Sequence, residues 1–248
     1  MENFFEAAIT GCREAEALLQ RPPDDALLAK TEWTGAGGDR SSGIDLALER
    51  IFVEALAPYG VIESEESGII GEGEGRIILD PLDGSSNALS RFPYYGVSIA
   101  RLDREGVLRE ALVANLANGD LFLVDERGEP LRGHLEREGF VPLRPAPHPE
   151  IGLFEKAYTQ PGIVAALDAE GLKFRAPGAV ALSLAYARSV NYFLFVGPFR
   201  IYDFAAGLAL CRGMEMVVED EYVLVARERE TLERIERLVL RELELQKE

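Results

Sequence analysis

Two aspartates three positions apart are the residues of this 248-residue chain that most clearly suggest chemistry. Asp80 follows the apolar run 77–79, which is too short for a helix and typical of a strand buried on both faces. Pro81 disfavours helical backbone at Asp80, so we expect the strand to stop there and turn sharply before Asp83. Both carboxylates and the Leu82 carbonyl then face one small volume, and such oxygen ligands suit Mg²⁺.

The four residues that follow Asp83 are Gly84, Ser85, Ser86 and Asn87, which favour a turn and the start of a helix. The free N–H groups at such a helix start would point back at the cation and bind the phosphate oxygens that the metal leaves free. A buried strand end followed by an Asx-type turn is the simpler alternative for the same residues. The sequence therefore predicts a cation site beside an anion site, with that alternative open.

Other carboxylates lie in places from which they could join this site. Glu63, Glu65 and Glu66 precede the strand of Asp80 and form either a solvated loop or a hairpin that brings a glutamate to the metal. Asp45 lies in the first turn of a predicted helix, where it could also serve only the helix dipole. Asp203 opens another predicted helix, as a metal ligand or as an N-cap.

The surrounding pattern indicates an α/β chain of the α+β kind. Apolar spacing predicts a helix over the first twenty residues, a Gly-rich loop over 27–43, and an antiparallel meander over 94–128. Strand-like and helical runs alternate in the second half, which favours a mostly parallel or mixed sheet. A Pro-rich and charged stretch separates the two halves, which we predict as residues 1–140 and 141–248.

The composition argues against several classes of function. A formal net charge of −17 disfavours binding to nucleic acid or to an anionic membrane. Cys12 and Cys211 form no Cys-x-x-Cys motif, so neither a zinc site nor a redox motif is indicated. No apolar run is long enough to span a bilayer, and the acidic first twenty residues are unlike a signal peptide, so we expect a cytoplasmic protein.

Four motifs together resemble the lithium-sensitive inositol monophosphatase superfamily, which includes fructose-1,6-bisphosphatases. They are DPLDGSSN at 80–87, SEESG at 64–68, SGIDLALE around Asp45, and RIYDFAAG at 200–207. The residue pair Ser85-Ser86 after the glycine of the first motif resembles that of fructose bisphosphatases and the dual-activity archaeal enzymes. The resemblance implies a layered αβαβα sandwich with the active site between the two halves, and a homodimer.

The resemblance also implies roles for individual residues. One Mg²⁺ would be held by Glu66, Asp80 and the Leu82 carbonyl. A second would be held by Asp80, Asp83 and Asp203. A third ion, bound more weakly, would contact Glu66 and water. Ser85 would pair with Asp45 to deprotonate the attacking water. The residues expected to contact the substrate are Asp83, Gly84, Ser85, Ser86, Arg200 and Asp203.

The predicted function is hydrolysis of a small sugar or polyol phosphate, with inositol 1-phosphate and fructose 1,6-bisphosphate as nearly equal candidates. A bisphosphonucleotide such as 3′-phosphoadenosine 5′-phosphate is a more distant one. Ala179 and the segment 188–191 depart from the family near its alcohol pocket. Arg200 would bind a second phosphate or form a salt bridge with nearby carboxylates. A noncatalytic interaction module that retains the fold is the rival from another class.

Overall fold

The structure, a computed structural model, describes residues 3–21, 25–38 and 40–247, the side chains of 26 and 33 excepted. The helices are α1 Phe4–Leu19, α2 Asp25–Leu28, α3 Gly43–Leu56, α4 Ser85–Leu89, α5 Pro161–Ala169, α6 Val180–Ala185, α7 Ile201–Leu210 and α8 Arg229–Leu245. The strands of the first sheet and hairpin are β1 Lys30–Thr34, β2 Arg40–Ser42, β3 Val61–Ser64, β4 Gly68–Ile70, β5 Arg76–Asp83, β6 Gly96–Leu102, β7 Leu108–Asn115, β8 Asp120–Asp125, β9 Leu131–His134 and β10 Arg137–Pro142. The later strands are β11 Gly152–Glu155, β12 Phe174–Arg175, β13 Tyr192–Val196, β14 Glu215–Val218 and β15 Tyr222–Ala226.

The larger sheet has the order β10-β9-β8-β7-β6-β5-β3-β4. Its strands pair antiparallel except β3 and β5, which are parallel, and the predicted meander is β6, β7 and β8. The strand of Asp80 is longer than predicted, because β5 continues through Pro81 to Asp83. The pairing with β6 shifts in register between Asp80 and Asp83, and such an irregularity tolerates a proline that cannot donate a ladder hydrogen bond.

The smaller sheet has the order β12-β11-β13-β15-β14. It is mixed as predicted, since β11 is parallel to β12 and β13 while β15 is antiparallel to β13 and β14. The larger sheet ends at Pro142 and the smaller begins at Gly152, so the predicted split at residue 140 falls within β10. Independent domains over 1–140 and 141–248 stay a prediction.

The described residues form alternating layers of helix and sheet. Helices α1 and α3 cover one face of the larger sheet, where Phe52 packs in one core with Ile77. Helices α6 and α7 lie between the sheets, and Leu182 shares a core with Phe122 of the larger sheet. Their other side packs on the smaller sheet in a second core. Helices α5 and α8 cover the outer face of the smaller sheet, which confirms the αβαβα sandwich.

The region 27–43 is more ordered than the predicted loop. Strands β1 and β2 pair antiparallel, and residues 35–38 follow β1 in the loop between the two strands. The backbone N–H of Gly37 donates to the carbonyl of Glu65 at 2.8 Å, so long-range contacts order a segment whose composition alone indicates a loop. In the part of the chain that the structure describes, we find no helix with the length and apolar character needed to cross a membrane.

Candidate active site

A cavity of about 590 Å³ lies where the β1–β2 hairpin, the end of β5 and the first turn of α7 meet. Every site residue predicted from the sequence lines it, although these residues come from distant parts of the chain. They are Asp45, Glu66, Asp80, Leu82, Asp83, Gly84, Ser85, Ser86, Arg200 and Asp203.

Three carboxylates in this cavity form one compact group. Glu65, Asp80 and Asp203 each offer an oxygen, and these oxygens lie within 4.8 Å of one another. The parallel pairing of β3 and β5 places Glu65 beside Asp80, since the N–H of Glu65 donates to the Leu79 carbonyl at 2.9 Å. Asp203 is the third residue of α7, whose N-cap is Arg200, so Asp203 lies in the first helical turn and is not itself the N-cap.

The glutamate in this group is Glu65, whereas the residue predicted from the sequence is Glu66. Glu66 accepts a hydrogen bond from the Ser41 hydroxyl of β2. Burial raises the pKa of Glu66 to about 7, and the charges of Asp45 and Glu49 add to this effect. Both glutamates lie in the turn between β3 and β4, and the hydrogen bond from the Glu65 N–H to β5 distinguishes Glu65, because it holds that residue beside Asp80. A metal contact of Glu66 stays a prediction.

The two aspartates of the DPLD motif are buried among like charges. Burial raises the pKa of Asp80 well above its ordinary value, and Glu65, Asp83 and Asp203 raise it further. Burial and Asp203 likewise raise the pKa of Asp83. Such carboxylates are costly to keep charged unless a cation or proton joins them.

Backbone donors hold Asp83 in place. Its Oδ1 accepts from the N–H of Val180 at 2.8 Å, and its Oδ2 accepts from the N–H of Leu182 at 2.9 Å. Both donors belong to the first turn of α6 and would otherwise be unsatisfied. Asp83 therefore anchors the central helical layer to the end of β5, beside any role in metal binding.

Asp45 caps α3 with one oxygen and leaves the other unused. Its Oδ2 accepts from the N–H and the hydroxyl of Ser42, both at 2.7 Å, in a capping box. Its Oδ1 is buried and has no hydrogen-bond partner among the described residues. One oxygen thus caps the helix in whose first turn Asp45 was predicted to lie, while the other remains available to the cavity that Asp45 lines.

Arg200 forms the salt bridges that were one of its two predicted roles. Its Nη1 lies 2.8 Å from Glu65 Oε1, and its Nε lies 3.3 Å from Asp203 Oδ2. The same Nη1 donates to the carbonyl of Gly37 at 2.7 Å, which ties the hairpin loop to the carboxylate group. A side chain at position 37 would crowd Glu65, since a Cβ there would lie 2.5 Å from Glu65 Cγ.

The turn after Asp83 is tightly packed. Gly84 has φ of +84°, and a Cβ there would lie 3.0 Å from both the Tyr94 carbonyl and Ala179 Cβ. Asn87 Nδ2 donates to the carbonyls of Tyr94 and Pro177 at 2.8 and 2.7 Å, which joins the two halves of the chain. Ser85 and Ser86 begin α4 at the cavity wall.

The donor set fits a hard divalent cation. The group of Glu65, Asp80 and Asp203 offers only oxygen, which suits Mg²⁺, Mn²⁺ or Ca²⁺ better than a softer metal. A cation there would offset the mutual repulsion that raises the pKa of Asp80. The unused Asp45 Oδ1 adds a buried acceptor in the same cavity.

Comparison with known proteins finds relatives in both sequence and structure. The model of the "Inositol monophosphatase family" matches residues 2–222. The Nus factor SuhB of Salmonella typhimurium (strain LT2) is 31% identical over 233 residues, covering 89% of this chain and 86% of that protein.

Solved structures share the fold. The Thermotoga maritima IMPase superposes with a TM-score of 0.76 at 19% identity, covering 96% of this chain and 98% of the other. The MJ0109 gene product, an inositol monophosphatase-fructose 1,6 bisphosphatase by name, has a TM-score of 0.75 at 19% identity, covering 95% and 99%. The family match over nearly the whole chain shows that this protein belongs to the inositol monophosphatase family.

Proposed function

We propose that the protein is a Mg²⁺-dependent phosphatase that hydrolyses a small sugar or polyol phosphate monoester by attack of water. The observation that carries the proposal is the convergence of Glu65, Asp80 and Asp203 in one cavity with Asp45 and Ser85. Membership of the inositol monophosphatase family supports phosphatase activity at the level of the reaction class.

The chain would hold Mg²⁺ through Glu65, Asp80 and Asp203, with the Leu82 carbonyl, Asp83 and Glu66 as further candidate oxygen ligands. Divalent cations bound there supply Lewis-acid stabilisation of the phosphate and lower the pKa of a bound water. Two or three ions per site are proposed from the family resemblance.

Other groups that line the cavity would accept the proton of the attacking water and donate hydrogen bonds to the phosphate. Asp45 Oδ1 would accept the proton of the attacking water, and the Ser85 hydroxyl in the same cavity would pair with Asp45 to orient that water. The N–H groups of Gly84 and Ser85, with Ser86 beside them, are proposed donors to the phosphate oxygens. No covalent enzyme intermediate is required.

The finer substrate assignment is also a proposal. Inositol 1-phosphate and fructose 1,6-bisphosphate are the leading candidates, and the name of the MJ0109 protein includes both phosphatases. A bisphosphonucleotide remains the more distant alternative. Binding of a second phosphate by Arg200 would require it to leave its contacts with Glu65 and Asp203. The cytoplasmic location and the homodimer belong to the same proposal.

The test is release of inorganic phosphate from both leading substrates, with Mg²⁺ or with EDTA, on one preparation. Mg²⁺-dependent turnover of either substrate supports the proposal. The rival is a noncatalytic interaction module, which the name Nus factor SuhB of several relatives brings into consideration. Absence of turnover on a broad panel of phosphate esters would favour that module.

A further inference from the structure

Tyr158 combines high exposure with a position at the candidate active site. Its side chain is 81% exposed, the largest value among the exposed large apolar side chains of the described residues. It also lines the cavity that contains the carboxylate group. Ligand pockets are commonly lined by aromatic side chains, so the exposed Tyr158 ring offers this polar cavity a face on which a ligand ring can pack.

The backbone holds Tyr158 at this position. Strand β11 is buried at all its residues and ends at Glu155. Lys156 then adopts the left-handed conformation, with φ of 55°, which is costly for a residue other than glycine and persists where the surrounding structure requires it. The N–H and hydroxyl of Thr159 both donate to the Lys156 carbonyl, at 2.9 and 2.8 Å, and close a short turn around Tyr158.

Lys156 supplies a cation to the same cavity. Its Nζ lies 5.4 Å from the centre of the Phe195 ring, and Phe195 is paired with Glu155 across β11 and β13. Lys156 lines the same cavity as Tyr158. Both follow the carboxyl end of a parallel strand, the edge of an α/β sheet at which ligands bind.

Most other cations of the cavity are already engaged by the protein. Arg200 contacts Glu65, Asp203 and the Gly37 carbonyl. Arg40 donates through two nitrogens to the Thr31 carbonyl. Lys30 lies on the hairpin at the other end of the sequence and serves below as the charge-matched comparison. Because the chain is strongly acidic, it would repel a second anionic group on a ligand unless a nearby cation paired with that group.

We infer that Tyr158 and Lys156 select the alcohol half of the substrate, favouring phosphate esters whose alcohol contains a ring and carries a second anionic group. The ring packs against the tyrosine face, and the anion pairs with the Lys156 ammonium. This inference rests on the proposed phosphatase function and names the substrate class of that site. It assigns binding roles only, since neither side chain is needed to activate water.

The experiment compares specificity ratios among variants. For wild type, Tyr158→Ala, Tyr158→Phe, Lys156→Gln, Lys30→Gln and Phe140→Ala, kcat/KM is measured with Mg²⁺ on glycerol 2-phosphate, inositol 1-phosphate and fructose 1,6-bisphosphate. Phe140 is the control aromatic, 42% exposed on β10 and outside the residues that line the cavity. Melting temperatures establish that each variant is folded.

Tyr158→Ala should lower the ratio of the ring esters to glycerol 2-phosphate by about tenfold, mainly through KM, the scale of one aromatic contact. Tyr158→Phe and Phe140→Ala should keep that ratio. Lys156→Gln should lower the ratio of fructose 1,6-bisphosphate to inositol 1-phosphate by about tenfold, and Lys30→Gln should not.

Equal losses on all three esters, or unchanged ratios, in Tyr158→Ala would overturn the ring assignment. Equal effects of Lys156→Gln and Lys30→Gln would overturn the assignment of the anion to Lys156. If wild type hydrolyses none of the esters, the proposed function fails and this inference fails with it. That outcome is distinct from turnover with unchanged ratios, which would remove the inference alone.

Discussion

At the scale of single residues, the candidate site concentrates negative charge where water cannot disperse it. Asp80 is buried, and its pKa is raised by that burial and by Glu65, Asp83 and Asp203. At neutral pH the ionised group therefore opposes folding of the metal-free chain, while it would favour a bound cation. Folding stability without metal and cation binding thus place opposite requirements on the charge of the same carboxylate.

The substitution Asp80→Asn should separate these demands. Phosphatase activity should fall by more than about a hundredfold, the scale on which loss of a preorganised electrostatic group acts. The melting temperature in EDTA should be equal to or higher than that of wild type, because an amide relieves the carboxylate repulsion. Asp168→Asn, at an exposed position of α5, is the control and should alter neither quantity. Normal turnover by Asp80→Asn would refute its assignment.

Glu65 and Glu66 provide a second test at this scale. Glu65→Gln should raise the Mg²⁺ concentration for half-maximal activity by about tenfold or more, because Glu65 belongs to the three-carboxylate group. Glu66→Gln should have the smaller effect on this concentration, since Glu66 faces Ser41. A Mg²⁺ titration of both variants decides between them. The reverse order would restore Glu66 as the principal ligand.

At the scale of elements, the close packing of α6 on α7 controls the site, because α6 binds Asp83 and α7 carries Asp203. Gly207 of α7 makes this approach possible, since a Cβ there would lie 2.6 Å from Leu184 Cβ. Gly207 lies within α7 and not at its start, and its lack of a side chain accommodates the neighbouring helix.

Gly207→Ala should therefore cost about 1–3 kcal/mol in the free energy of unfolding, the usual effect of overpacking, and should lower kcat. Gly162→Ala in α5 is the matched control. Its Cβ would meet only Glu242 Oε2, the end of a side chain that can move away. Denaturant unfolding measures the free energy of unfolding of both variants. Equal stability of the two would show that α6 and α7 can move apart to accommodate the added methyl group at little cost.

A second pair of elements is joined by a charged hydrogen bond. Tyr186, at the end of α6, donates to Asp120 Oδ2 of β8 at 2.6 Å, and Arg132 of β9 lies 2.7 Å from Asp120 Oδ1. Burial raises the pKa of Asp120, but the hydrogen bonds from Tyr186 and Arg132 outweigh it, and the pKa is lowered overall.

Since the folded pKa is below the unfolded value of about 3.9, the stabilisation by Asp120 is complete at neutral pH and is lost as the pH falls through the folded pKa. Asp120→Asn should cost about 1–3 kcal/mol at pH 7, and the difference from wild type should shrink as the pH falls below about 4. Urea unfolding across this range measures it. A difference that does not change with pH would mean that ionised Asp120 contributes nothing.

At the scale of the whole molecule, the net charge of −17 makes cations a general stabilising factor, and the carboxylate group adds a specific one. Mg²⁺ at a hundredfold excess over its Kd should stabilise the fold by about 2.7 kcal/mol, which raises the melting temperature by roughly 5–10 °C. KCl at equal ionic strength should give a smaller shift, since it acts only by screening. Equal shifts with both salts would argue against a specific site.

Local sequence pattern was sufficient for much of the molecule. The apolar run before Asp80, the helical spacing around Asp45 and the glycine after Asp83 depend on backbone preferences that act over a few residues, and the structure has β5, α3 and the turn at Gly84 there. The end of β5 was predicted too early. Its pairing with β6 resumes after the irregularity that accommodates Pro81, and this pairing is a property of the sheet.

The sequence by itself thus determined the fold class from its local pattern and, through the family resemblance of its motifs, ten residues that line the candidate site, although it pointed to Glu66 and not to Glu65. Tertiary structure alone decided which glutamate joins Asp80, what Asp83 anchors and what Arg200 contacts. These depend on strand pairing and on contacts between residues far apart in the chain, such as Arg200 and Gly37. Spacing along the sequence carries no record of such distances, whereas the packed layers place the groups within reach of one another.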